Sequence, residues 1–227
     1  MIAENVQFVT QRIARSCEKA GRPPQEIKIV CVTKAASIGQ IEEVLSLGMR
    51  SLGENRVQDA IAKHAVLGSR AEWHLIGHLQ TNKAKDAVRI FSLIHSVDSI
   101  RLAKEIDKEA GKIGKAQDIL IQVNMSGETS KFGIEPGALE GFVKEVTLYP
   151  NISIKGLMAI APEAEDPETV RPYFKALRGL RDRLNQTLNA DHQPLILSMG
   201  MTGDFEIAVQ EGSNMVRIGR AIFERYT

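Results

Sequence analysis

The sequence predicts an α/β fold, a single (β/α)8 TIM barrel with an additional N-terminal helix. Three observations carry that expectation. Short runs rich in Val, Ile and Leu alternate with amphipathic stretches along the 227 residues. The strand–helix units so marked number about eight, which closes a barrel. The runs are apolar on successive residues, as strands of a parallel sheet buried on both faces must be. An open doubly wound sheet is the rival. After the first run, however, the chain reads Val32-Thr33-Lys34-Ala35-Ala36, without the Gly-x-Gly-x-x-Gly turn that fold uses for dinucleotides. No linker rich in Ser, Gly or Pro divides the chain, so residues 1–227 are expected to form one domain.

Each element follows in order. Residues 2–20 place Val6, Val9, Ile13 and Cys17 on one helical face and are stopped by Gly21, Pro23 and Pro24, giving a helix expected to plug the bottom of the barrel. The first strand spans 27–33 and its helix 38–47, and 51–54 is a short second strand. The strand at 73–76 precedes an amphipathic stretch at 81–88, and that at 91–95 precedes one at 99–110. The strands at 118–123 and 152–158 are followed by helices at 136–146 and 168–188. The runs at 195–198 and 215–218 close the series, with a helix at 204–210 between them and a short one beginning near Gly219.

Composition removes several classes of function. Lys plus Arg total 29 against 28 for Asp plus Glu, a net charge of +1, which provides no field for steering nucleic acid or an anionic membrane. With 43% hydrophobic and 25% charged residues, the chain is neither disordered nor collagen-like. No apolar run approaches the roughly 20 residues of a membrane span, and residues 1–15 lack the apolar core of a signal peptide. A cytoplasmic protein without nucleic-acid or membrane partners is expected. Cys17 and Cys31 are the two cysteines, too few for a disulfide scaffold and without zinc-ligand spacing.

In such barrels active groups stand where strands end at the carboxyl face. Lys34 follows the first apolar run. There, burial would favour its neutral amine and imine formation with a carbonyl, the alternative being a lysine that snorkels into water. Near the C-terminus, Ser198-Met199-Gly200-Met201-Thr202-Gly203-Asp204 combines two glycines, two hydroxyls and the start of a helix, and Arg217-Ile218-Gly219-Arg220 follows. A phosphate is commonly held between these two loops of a barrel; a serine or threonine N-cap is the plainer reading. Asn55 ends the second strand, placed either to bond an acceptor such as a phenolate or to cap the next helix. His74 and His78 lack the glutamate of a metal-binding HExxH helix. His95 and Asp98 suit a base with its orienter or a structural pair, and no catalytic role is assigned to them. Neither a Gly-x-Ser-x-Gly elbow nor a Walker loop is present.

Taken together, Lys34, Gly53-Glu54-Asn55, the segment Trp73 to Lys83, Lys131-Phe132-Gly133, and the Ser198 and Arg217 motifs resemble the pyridoxal phosphate homeostasis protein family. The likeness runs from about Val30 to Phe223, nearly the whole chain. It implies a barrel similar to the N-terminal domain of alanine racemase, called fold type III among enzymes of this cofactor. It further implies that Lys34 holds pyridoxal 5′-phosphate as an internal aldimine, a Schiff base. Ser198 and the backbone at Met199, Gly219 and Arg220 would cradle the phosphate, Arg217 would face the pyridine nitrogen, and Asn55 would lie near the ring oxygen. A guanidinium at that nitrogen opposes its protonation and weakens the ring as an electron sink. The chain departs from the family in reading Ala35-Ala36-Ser37 where Thr-Lys-Pro is common, Thr202 for serine, and Arg220 for a small hydroxyl residue.

The function expected from the likeness is intracellular vitamin B6 homeostasis: a carrier or regulator of the cofactor, not an enzyme, with cofactor-dependent apoenzymes as candidate partners. A racemase also needs a second base, which in alanine racemase comes from a β-rich domain of a partner chain. A chain ending at Thr227 is expected to leave no room for that domain, and Tyr149, Tyr173 and Tyr226 are poorly placed to substitute. The alternatives are a weak racemase, an aldolase-like barrel using Lys34, or a binding module in which the lysine is incidental.

Overall fold

The computed structural model of the chain describes residues 1–128, 131–188 and 195–224; Tyr226 lies outside them. Eight strands form one closed parallel barrel in chain order: β1 (Lys28–Val32), β2 (Ser51–Glu54), β3 (Glu72–Leu75), β4 (Leu93–Val97), β5 (Gln117–Gln122), β6 (Ile152–Met158), β7 (Ile196–Ser198) and β8 (Met215–Ile218). The seam is between β8 and β1, with Val30 opposite Arg217 and Cys31 opposite Ile218. Closure leaves no unpaired sheet edge.

The helices are α1 (Ile2–Lys19), α2 (Ile38–Ser46), α3 (Val57–Leu67), α4 (Ala84–Ile90), α5 (Ile100–Gly111), α6 (Leu139–Val146), α7 (Arg171–Leu188), α8 (Phe205–Gln210) and α9 (Arg220–Phe223). Local chemistry starts several of them. Ser37 and Gln40 form a reciprocal capping box at α2, and Ser99 accepts the Leu102 N–H at α5, each satisfying N–H groups that a first turn leaves unpaired. The main core lies between barrel and helices, where Trp73, Phe91, Phe174 and Phe205 are buried.

Two expectations change. Helix α1 does not plug the barrel; it packs on the outer ring against α8, α9 and α2, because its apolar stripe of Ile2, Val9, Ile13 and Cys17 needs an apolar partner. Asn5 Nδ2 donates to the carbonyls of Ile222 and Glu224, fixing the contact. Helix α3 is an element that the alternation of runs does not single out. Its apolar residues point both ways, Val57 and Ala60 inward and Ile61 and Val66 to solvent, which blurs the helical period.

Inside the barrel, Val30, Leu93, Leu120, Met158 and Met215 form a separate small core. Gly53 is needed beside it, since a Cβ there would stand 2.9 Å from Val30 Cγ1 and 3.3 Å from Ile76 Cδ1. At the amino ends of the strands Lys28 pairs with Glu72 at 2.7 Å and Lys155 with Asp118 at 3.5 Å. These charged pairs, and not helix α1, stand at the lower end.

Candidate functional site

The carboxyl ends of β1, β2, β7 and β8 bring the predicted residues to one rim. Lys34 stands in the turn after β1 and is exposed. Among the described residues its ammonium has no hydrogen-bond or ion-pair partner. Strand burial therefore does not enclose it, contrary to the desolvation expected from the sequence. Its root is rigid nonetheless. The Thr33 N–H donates to Gly53 O at 3.0 Å, the Thr33 carbonyl accepts from Lys63 Nζ at 2.6 Å and from the Ala36 N–H at 3.0 Å, and Thr33 Oγ1 donates to Glu54 Oε1 at 2.5 Å. Lys63 also donates to Glu54 Oε1 at 2.6 Å. Glu54 is fully buried and its Oε2 has no hydrogen-bond partner among the described residues. The backbone under Lys34 is thus held by an ion pair behind the sheet.

Asn55 is exposed beyond β2, and it is not the cap of α3: Arg56 occupies that position without a side-chain cap bond. Its amide is left facing solvent at the rim. Its backbone is wedged against Gly77, where a Cβ would stand 2.3 Å from Asn55 O. Only glycine allows the loop after β3 to pass so close.

Arg217, from β8, is buried at the upper end of the barrel. Nη1 donates to the carbonyl and the hydroxyl of Ser198, each at 2.7 Å, and Nη2 to Ala159 O at 2.9 Å. Burial pulls its guanidinium down to about 10, with Asp204 acting in the opposite sense; it stays cationic at neutral pH. The Ser198 hydroxyl is engaged by Arg217 and by His95 Nδ1 at 3.0 Å, and the Met199 N–H already donates to Met215 O at 3.2 Å. Both groups are thus engaged by protein partners. Gly219 and Arg220 open helix α9, where an N–H has no preceding turn to bond, and the Ala221 N–H lies 3.4 Å from Thr202 Oγ1, tying the two loops together. Gly219 presses on β1, its Cβ direction 3.3 Å from Val32 Cβ and Val32 O. Gly200 is required by its φ of +96° and by Ala208 at 2.6 Å, whereas a Cβ at Gly203 would meet nothing within 4 Å. Close packing against α8 therefore explains Gly200.

His95 and Asp98 do not form a pair. Asp98 faces His78 at 3.4 Å, while His95 bonds His74 and Ser198 inside the barrel. Beside the rim, His78, Gln80, Asn82, Asp98, Ser99 and Arg101 contribute to a polar cavity of about 440 Å³. The residues that reading by strand ends missed are Glu54, Lys63 and Gly77. They act from behind the sheet or through backbone contact, and the sequence hints at them only as a charge inside an apolar run and a glycine after one.

A family model described as alanine racemase, N-terminal domain, matches residues 5–226. A pyridoxal phosphate homeostasis protein of Aquifex aeolicus (strain VF5) is 43% identical over 97% of this chain and 96% of its own. The chain belongs to the pyridoxal phosphate homeostasis protein family. The chain's structure is similar to that of PipY from Synechococcus elongatus PCC7942, a structure with pyridoxal phosphate bound: TM-score 0.84 and 34% identity over 98% of this chain and all of that one. A Clostridium difficile 630 alanine racemase shares the fold, with TM-score 0.70 and 18% identity; this family member covers 57% of it. Among the described residues no helix is long and apolar enough to cross a membrane.

Proposed function

We propose that the protein binds pyridoxal 5′-phosphate reversibly at the barrel rim and serves in the cytoplasm as a carrier that limits free cofactor and exchanges it with cofactor-dependent apoenzymes. The observation that carries this reading is the seam. Because β8 closes on β1, the amine of Lys34, without a partner among the described residues, hangs from the strand next to Arg217, Gly219 and Arg220. The barrel over residues 1–227 then acts as one domain.

The cofactor supplies an aldehyde, a basic ring nitrogen and a phosphate, and the residues present fit each part. Lys34 offers an amine with no competing bond among the described residues. Arg217, all donor and no acceptor, suits an unprotonated ring nitrogen, and the N–H groups of Gly219 and Arg220 suit an anion at a helix start. Asn55 presents an uncommitted amide on the adjoining strand end. Ser198 and Met199 frame the site, Ser198 through its grip on Arg217. A guanidinium at the ring nitrogen disfavours its protonation and hence carbanion chemistry, which supports holding over turnover. Tyr149 bonds Glu145 at 3.1 Å and Tyr173 sits in the outer helix α7, so neither acts as a second base at the rim.

The test is optical and chemical. Purified protein mixed with the cofactor should develop a visible band that borohydride removes, and peptide mapping should then locate the adduct on Lys34. A Lys34→Ala variant should show neither. Equal cofactor affinity in that variant would make the lysine incidental, and rapid exchange of the alanine α-proton by pure protein would replace the carrier by a racemase.

A further inference from the structure

A line of polar side chains crosses the barrel interior from foot to rim, and its inner members have no place in the reading above. Arg217 Nη1 lies 2.7 Å from Ser198 Oγ, Ser198 Oγ 3.0 Å from His95 Nδ1, His95 Nε2 2.9 Å from His74 Nδ1, and His74 Nε2 3.4 Å from Glu72 Oε1. The last contact is a charge contact and not a hydrogen bond: His74 Nε2 has no hydrogen-bond partner among the described residues. Glu72 also accepts from Lys28 Nζ at 2.7 Å and Ser51 Oγ at 2.8 Å. Strands β4 and β7 are not neighbours, so the His95–Ser198 bond spans the interior. His74, His95 and Ser198 are wholly buried, while Glu72 is 39% exposed and Lys28 44% at the foot.

The Arg217 end dictates the direction of the line. A guanidinium only donates, so Ser198 Oγ accepts from Arg217 and sends its own proton to His95 Nδ1. A proton on that nitrogen instead would leave the Ser198 hydroxyl hydrogen without an acceptor in a dry site. Burial keeps both imidazoles neutral by pushing them down, so His95, with Nδ1 accepting, carries its proton on Nε2 and donates to His74 Nδ1. That leaves the His74 proton on Nε2, facing Glu72 across 3.4 Å. The carboxylate, which Lys28 and Ser51 engage, only accepts, and its charge favours the same proton position.

We propose that Glu72, His74 and His95 are positioning residues for the cofactor site: the carboxylate charge at the foot favours the Nε2 proton on His74, and His95 holds the Ser198 hydroxyl with a lone pair towards Arg217, fixing the guanidinium below the rim. The proposal rests on Arg217 facing the cofactor's ring nitrogen, but its first test needs no cofactor.

Nitrogen NMR of the full chain, isotope-labelled at histidine, should show His74 and His95 both neutral with the proton on Nε2. A Glu72→Gln variant removes the carboxylate charge, so the ring resonances of both histidines should move and the second tautomer should gain population. An Asp118→Asn variant, at the same end but paired with Lys155 outside the line, should leave them in place. A proton on Nδ1 or a charged ring in the unmodified protein overturns the proposal, as does a His95 response to Glu72→Gln no larger than to Asp118→Asn. In the cofactor arm, His95→Gln should weaken pyridoxal phosphate binding about tenfold and displace the visible band. An unchanged affinity and band refute positioning. If His95→Gln fails to fold, Glu72→Gln, at a half-exposed site, is read the same way. Absence of cofactor binding by the unmodified protein would instead defeat the carrier reading and leave the tautomer result standing.

Discussion

Replacing Lys63 by methionine tests how the rim is held from behind. The Glu54 side chain is 0% exposed and Lys63 14%, and Glu54 Oε2 has no partner among the described residues. Removing the ammonium leaves a buried carboxylate with the Thr33 hydroxyl alone, and breaking a buried pair in this way costs about 3–5 kcal/mol. For a chain of this size each kcal/mol moves the melting temperature by about 2–4 °C, so Lys63→Met should melt roughly 10 °C lower. Urea unfolding followed by circular dichroism reads the free energy directly. Adding Glu54→Gln to the Lys63→Met background removes the stranded charge and should recover more than about 1 kcal/mol. The Thr33 carbonyl also loses a donor, so borohydride trapping at Lys34 should slow. A loss under about 1 kcal/mol, or a double variant weaker than Lys63→Met alone, would refute the reasoning.

Gly77→Ala pushes a methyl to within 2.3 Å of Asn55 O, a backbone clash that should cost about 1–3 kcal/mol in urea unfolding; an unaffected midpoint contradicts the wedge. The His74 and His95 imidazoles are held below their ordinary range by burial, whereas unfolding returns them to about 6.5. The unfolded chain then binds more protons as pH falls, so stability present above about pH 6.5 is lost below it, by up to about 1.4 kcal/mol per pH unit for each ring. Urea midpoints across that range should slope down on the acid side; a His74→Gln, His95→Gln double variant with the same slope would argue against it. Burial pushes the Cys31 thiol up to about 12, so iodoacetamide at neutral pH should label it only after unfolding, a point mass spectrometry decides.

Much of the rim was legible because strand ends in a parallel barrel are where an apolar run stops. Lys34 and Asn55 meet that criterion, Arg217 stands out as a charge inside the last apolar run, and the resemblance gives each a role. Ser198 and Met199 were located, but their bonding was not: which neighbour takes the Ser198 hydroxyl depends on β4 crossing to β7, and Met199 spends its N–H on β8. The pairing of His95 with Asp98 was misjudged because three residues of separation say nothing about which face of a strand each leaves.

The order of the eight strands, a net charge of only +1, and the amine and guanidinium available for chemistry can be read from the chain alone, since periodicity and composition are local properties. Only the tertiary structure decided that α1 covers the outer ring, that Glu54 and Lys63 pin the turn under Lys34, and that Glu72, His74, His95 and Ser198 join into one line beneath Arg217. Those contacts link residues far apart in the chain through the barrel's closure, and no local pattern encodes which side chains a closed sheet will bring face to face.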